Sequence, residues 1–302
     1  MSSQRQTVSD YDRRLSDDWL LTCWNPDHIH FGLFEPGRDC IDFGRTFEYP
    51  HADLARALVR MIDEITEPAR ICAGEHVVDA GCGVGGTARW LAGRYGCRVT
   101  GVGISNLKPD IARQRTQDAG LEGMVDFREA DCCIHLPFAD GAVDVVVNVE
   151  SACQYAHRPQ FLSEVRRILR PGGRLAASDW LMTDRTSPAE REAYIRPLCR
   201  VWALPDLESR ASYLHLLREA GLETAGVSDF GGRDLHNAEL LGRRGRIMFM
   251  RAMSSATAPD HWIKQMQALS TVHAAWIRGF FELGRYLARR PQVQEQPANP
   301  AT

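Results

Sequence analysis

Between about residues 70 and 180, apolar runs of strand length alternate with segments of helical periodicity, the pattern of a parallel sheet covered on both faces. Val77 to Ala80, Arg98 to Val102, Val125 to Glu129, Val143 to Val149 and Arg174 to Ser178 read as strands, each bounded by Gly, Asp or Pro turn signals. Thr87 to Tyr95, Lys108 to Gly120 and Gln160 to Leu169 carry apolar residues at helical spacing and read as crossover helices. Upstream, amphipathic stretches at Asp10 to Leu21 and His51 to Ile65 flank an aromatic, histidine-bearing segment, Trp24 to Phe34. Downstream, Ser187 to Leu204 and Ser209 to Ala220 read as helices and Thr224 to Phe230 as a strand. Leu240 to Met253 and Asp260 to Phe281 follow as long helices, then Gly284 to Ala288 as a closing strand. The pattern predicts an α/β chain with a doubly wound, mostly parallel seven-stranded sheet, N-terminal helices and a helical cap. Its segments are an N-terminal helical part (1–69), a core (70–185), a cap with the closing strands (186–290) and a Pro-, Gln- and Ala-rich tail (291–302) expected to be disordered.

Composition narrows the function classes. The 302 residues are 44% hydrophobic and 25% charged, ordinary for a globular enzyme. The 36 basic and 39 acidic side chains leave a net charge of -3, without the basic surplus that neutralising phosphates demands, so nucleic acid is not an expected partner. Nine scattered cysteines, odd in number and without a CxxC pair, argue against a disulfide framework and a structural zinc. A reducing, cytoplasmic setting is the expectation, with no metal required. No run approaches the roughly 18 apolar residues of a membrane span. Self-association is left open.

The strongest local feature is Val77-Val78-Asp79-Ala80-Gly81-Cys82-Gly83-Val84-Gly85-Gly86, a buried strand entering a glycine loop that opens a helix. Glycines there let backbone approach a ligand, and the free N–H groups at the helix start favour an anionic group. Gly81, Gly83 and Gly86 also satisfy GxGxxG, so a dinucleotide oxidoreductase is the rival reading. That enzyme wants an acid near the end of the second strand for the ribose diol, and here the strand ends Val102-Gly103-Ile104-Ser105. Asp79-Ala80-Gly81-Cys82-Gly83 resembles the first motif of class I S-adenosylmethionine-dependent methyltransferases. Ala130-Asp131 resembles their adenine-binding acid, and Leu169-Arg170-Pro171-Gly172-Gly173 the turn before their fifth strand. The resemblance implies S-adenosylmethionine as cofactor, held by Asp79, Gly81, Gly83, Gly85, Ser105, Asp131, Cys132 and Val149, with Tyr11 reaching it from the N-terminal segment.

Shorter likenesses concern the acceptor. Tyr11-Asp12 with Ser16-Asp17-Asp18 resembles the entrance of cyclopropane fatty-acid synthases and sterol methyltransferases. Asn148-Val149-Glu150-Ser151 resembles the strand-four ending of isoprenoid carbon methyltransferases, and Asp179-Trp180-Leu181-Met182-Thr183-Asp184 a stretch of sterol C24-methyltransferases. His28-Ile29-His30-Phe31-Gly32 is similar to their aromatic, His-containing segment and to that of glycine/sarcosine N-methyltransferases. Methylating an alkene leaves a carbocation, which calls for aromatic faces, a carboxylate and a base. Trp24, His28, Phe31, Trp180 and Trp202 are the candidate pocket residues. Glu150 is the candidate carboxylate, and His157 the candidate base. A small-molecule acceptor is expected, favouring an isoprenoid or prenylated alkene. N- or O-methylation of an amine or hydroxylated metabolite stays open, and more remotely so does a cofactor-binding protein without turnover.

Overall fold

The computed structural model describes residues 25–35, 52–104, 108–243 and 260–292. Helix α1 (Ala52–Thr66) precedes the alternating core, which runs β1 (His76–Ala80), α2 (Gly86–Tyr95), β2 (Arg98–Gly103), α3 (Lys108–Asp118), β3 (Val125–Glu129), β4 (Val143–Val149), α4 (Arg158–Ile168) and β5 (Leu169–Met182). Then come α5 (Arg196–Trp202), α6 (Arg210–Glu219), β6 (Glu223–Thr224), α7 (Asp260–Ile277) and β7 (Phe281–Arg289), with residues 235–243 also helical.

The seven strands lie in the order β3-β2-β1-β4-β5-β7-β6, all parallel except β7, which runs antiparallel to both its neighbours. The order reverses between β1 and β4, whose carboxyl ends therefore open a crevice. Strand alternation sorts the core into two layers. Val77, Val147, Ala176 and Leu283 pack toward α1, α5 and α7, whereas Val78, Val146, Ala177 and Tyr286 pack toward α4 and α6.

The cap departs from the sequence pattern in three places. The expected strand from Thr224 to Phe230 shrinks to Glu223–Thr224 and a single bridge, Ser228 to Arg285, because Gly226 at φ 148° breaks the run. The expected helix to Phe281 stops at Ile277. Gly279 at φ 71° turns the chain, with Gly279 N–H donating to Trp276 O (2.8 Å) and Phe280 N–H to Ala275 O (2.9 Å), so Phe281 opens β7 instead. Ser187 to Leu204 divides into a Pro188–Glu190 turn, a π-helical Arg191–Ile195 and α5, consistent with Pro197 lacking an N–H for the regular ladder. The expected helix at Asp10 to Leu21 and the tail beyond 292 lie outside the described residues, as does most of Leu240 to Met253.

Candidate functional site

The glycine loop leaves β1 by turning across the end of β2: Gly81 and Cys82 both donate backbone N–H groups to Val102 O, at 2.8 and 3.1 Å. Its glycines do different jobs. A Cβ on Gly81 would lie 2.1 Å from Ser151 Oγ, on Gly85 2.5 Å from the Phe127 ring, and on Gly86 2.0 Å from Asp27 O. Those three are required by packing. On Gly83, at φ 52°, a Cβ would meet nothing within 4 Å, so Gly83 faces open space. Asp79, at the end of β1, is buried and accepts the N–H of Ala88 in the first turn of α2, while its Oδ2 has no hydrogen-bond partner. Burial pushes this carboxyl up to about 7, against the pull of that N–H and of Arg89. An open backbone cradle beside a buried, unsatisfied carboxylate oxygen suits a ligand carrying a cationic amine.

Asp131 lies just past β3, where Ala130 N–H is tied to Gly103 O (2.9 Å). Its Oδ1 accepts Cys133 N–H at 3.0 Å, so the acid also orders its own turn. Burial pushes the Cys132 thiol up to about 12 and that of Cys133 up to about 11, which makes both fillers rather than nucleophiles.

Strand β4 supplies the second half of the site. Asn148 Nδ2 donates to Ala80 O (2.8 Å) and to Ser151 Oγ (2.6 Å), and Ser151 Oγ donates to Ala80 O (3.0 Å), which fastens the β4 end to the glycine loop. Between them, beyond buried Val149, Glu150 takes φ 49°, unusual for a residue with a side chain, and donates its N–H to Ser178 O (2.9 Å). Its buried carboxylate accepts the N–H of Phe31 on Oε1 (3.0 Å) and Trp180 Nε1–H on Oε2 (2.7 Å). Burial raises this carboxyl to about 8; the Trp180 and Phe31 hydrogen bonds oppose that, and the charges of Asp179 and Asp234 add to it. Around it Phe31 stacks on Trp180 at 5.3 Å, Trp180 meets Trp202 at 5.0 Å and Phe281 at 5.3 Å, and Trp276 packs edge-on to Phe31 at 5.0 Å. Trp202 Nε1–H donates to Ala268 O (3.0 Å), anchoring α5 to α7.

The segment 25–35 lies across both halves as a strap of irregular backbone. Buried backbone must find partners, and successive N–H groups of Phe31, Gly32, Leu33 and Phe34 donate to Glu150 Oε1, Asn237 Oδ1, Ala57 O and Arg233 O. At its other end Arg89 of α2 donates to Asp27 Oδ1 (2.6 Å) and Val84 O (2.9 Å), joining strap to glycine loop. His28 and His30 are buried in the strap with rings 5.3 Å apart. Burial holds His28 well below its ordinary range and His30 at about 4, so both are neutral imidazoles at pH 7.

The structure therefore gathers Asp79, Gly83, Val149, Glu150, His28, Phe31, Trp180 and Trp202 along the carboxyl ends of β1, β4 and β5. It does not bring His157 there: that residue is exposed at the N-cap of α4. Tyr11, Trp24 and Ser105 lie outside the described residues. Sequence reasoning missed Trp276, Phe281, Arg89 and Asn237. The first two sit in a helix and a strand that pattern reading had merged, and nothing local marks Asn237.

This sheet order, with a glycine loop at the switch point and an acid closing β1, defines a Rossmann-like methyltransferase core. A methyltransferase domain model matches residues 78–177. Methyltransferase GfsG of Streptomyces halstedii is 34% identical over 222 residues, covering 74% of each chain. The 27-O-demethylrifamycin SV methyltransferase of Amycolatopsis mediterranei (strain S699) is 35% identical over 179 residues, 59% of this chain and 65% of that one. Geranyl diphosphate C-methyltransferase from Streptomyces coelicolor A3(2) superposes with a TM-score of 0.68 at 20% identity, over 96% of this chain and 98% of that one. The chain belongs to the class I S-adenosylmethionine-dependent methyltransferases that act on small molecules, and S-adenosylmethionine is its cofactor. The Gly83 cradle and the unsatisfied Asp79 oxygen fit its amino-acid portion.

Proposed function

We propose that the chain methylates an alkene carbon of an isoprenoid or prenylated small molecule. The observation that carries this reading is Glu150, a buried carboxyl whose two oxygens are bonded by Phe31 and Trp180, themselves packed on Trp202, Trp276 and Phe281. S-adenosylmethionine, when bound, supplies the electrophilic methyl group. The chain's own residues align the acceptor, exclude water and manage one proton. Asp79, the Gly83 backbone and Asp131 hold the cofactor. The aromatic faces steady positive charge on the acceptor carbon, and Glu150 neutralises it in its ionised form, which a neighbouring cation favours against the effect of burial. With a proton affinity near neutrality, Glu150 is also suited to take up the proton that the acceptor then loses. That role passes to Glu150 from exposed His157. Among the described residues no cluster of three or more His, Cys, Asp or Glu could hold a metal ion.

A second reading, methylation of oxygen or nitrogen, is favoured by the neutral, buried imidazoles of His28 and His30 beside the cofactor loop, either of which could accept a proton from a hydroxyl. The rifamycin relative's name points the same way.

The deciding experiment offers prenylated indoles, isoprenyl diphosphates, sterols, phenols and small amines with methyl-13C-labelled S-adenosylmethionine, and locates the label by NMR. Label on a former alkene carbon is expected; label on oxygen or nitrogen overturns the acceptor assignment and leaves fold and cofactor intact. In the same assay Glu150→Gln lowers turnover by about a hundredfold, with cofactor affinity preserved.

A further inference from the structure

We propose that Asn237 is a positioning residue of the acceptor site: its side-chain amide clasps the backbone of Gly32 and so holds Phe31 against Glu150, keeping that carboxylate out of water. Asn237 is fully buried in the first turn of the helix over 235–243. Its Oδ1 accepts Gly32 N–H at 3.1 Å, and its Nδ2 donates to Gly32 O at 2.7 Å and to Asp234 O at 2.7 Å. One amide thus satisfies both polar backbone groups of a single residue, as a neighbouring strand would. The residue clasped is one that tolerates no side chain: a Cβ on Gly32 would stand 2.8 Å from Ala57 Cβ and 3.0 Å from the Ala57 carbonyl carbon. The strap is therefore pressed against α1 on one side and held by Asn237 on the other.

The residue before Gly32 is the one that matters chemically. Phe31 gives its N–H to Glu150 Oε1 and stacks its ring on Trp180, which bonds Oε2. Moving Gly32 moves both the donor and the ring that cover the carboxylate. Asp179 on β5 and Asp234 just before the helix add negative charge around Glu150, and the strap itself contributes the two neutral histidines. Dryness, not a neighbouring cation, sets the carboxyl's proton affinity, and the clasp maintains the dryness.

Its catalytic meaning rests on Glu150 belonging to the acceptor site, but the test does not. The Trp180 indole N–H resonance, assigned with Trp180→Phe, reports Glu150 through their hydrogen bond and is followed against pH in the full chain. In the unaltered protein the expected midpoint is about 8. In Asn237→Ala it falls by about one pH unit or more, because water reaching the carboxylate relieves the burial that is the largest cause of its raised value and outweighs the loss of the Phe31 N–H bond, which acts the other way. Hydrogen exchange at Phe31 to Phe34 quickens at least about tenfold, while β1 and β4 amides stay protected. Gly32→Ala, which displaces the strap from the α1 side with Asn237 untouched, gives the same fall and keeps the test open if Asn237→Ala does not fold. A midpoint in the ordinary carboxylate range before any substitution overturns the proposal. So does faster strap exchange with an unmoved midpoint, or no change in either variant. The position of the methyl label bears on the acceptor reading alone, so either idea can fail while the other stands.

Discussion

Glu150 combines three features that rarely coincide in one residue: a positive φ, a buried carboxylate, and donors on both oxygens. The backbone conformation costs on the order of 1 kcal/mol for a residue with a Cβ, and it aims the side chain away from the β4 ladder toward the strap. An amide at this position can accept only one of the two N–H groups and turns a second donor toward the other, which is why Glu150→Gln tests charge and strap attachment together. Asp131 poses a different question, because its carboxylate also bonds Cys133 N–H. Asp131→Ala is expected to weaken S-adenosylmethionine binding about tenfold by calorimetry. Unchanged affinity would restrict the acid to ordering its own turn.

At the scale of elements, the crevice is braced from the face opposite the strap. Asp179 of β5 accepts Cys153 N–H (2.8 Å) and Trp180 N–H (3.0 Å) on Oδ1, and the Tyr213 hydroxyl of α6 (3.1 Å) on Oδ2; Tyr286 of β7 donates to that hydroxyl (3.0 Å). Arg158 at the start of α4 donates to Ala152 O (2.9 Å) and Cys153 O (2.8 Å), capping the short turn after Glu150. Because the group is fully buried, leaving one member unpaired costs about 1–3 kcal/mol. Tyr213→Phe is accordingly expected to lower stability against urea by that amount without altering cofactor affinity. A loss of affinity would give the network a role beyond bracing. The strand pattern was legible in β1, β2 and β4 because each is buried on both faces and bounded by turn residues, and in the edge strand β3 because buried Val125 and Phe127 alternate with exposed polar residues. β6 and the end of α7 were not, because Gly226 and Gly279 act through backbone angles that apolar periodicity does not encode.

At the scale of the molecule, the buried carboxyls give the fold an unusual pH response. Asp79 at about 7 and Glu150 at about 8 hold protons in the folded state that ordinary carboxyls in the unfolded chain have lost. The folded state binds more protons across that range, so stability falls as pH rises, and the loss is complete above the folded values. Below about pH 6.5 the buried His28 and His30 work in the opposite direction, since the unfolded chain then takes up protons that they refuse. The clean window therefore lies between about pH 6.5 and 8, where the melting temperature of the cofactor-free protein is expected to decline at constant ionic strength. A melting temperature that climbs across this window would show that neither carboxyl is raised.

The sequence by itself determined the sheet, the cofactor loop, the family and the placing of Glu150 at the end of β4, because these are set by local periodicity and by a glycine pattern confined to ten consecutive residues, 77–86. It also pointed to Phe31 and Trp180, though not to the hydrogen bonds that join both to Glu150. Only the tertiary structure decided that Gly81 and Gly85 serve packing whereas Gly83 faces open space, and that His157 is a surface residue. It alone packed Trp276 and Phe281 against Phe31 and Trp180, the two residues that bond Glu150, and set Asn237 on Gly32, across 205 positions of chain. Burial, backbone hydrogen bonding and proton affinity depend on what packs against a residue, and for this site the packing partners come from segments that share no local pattern.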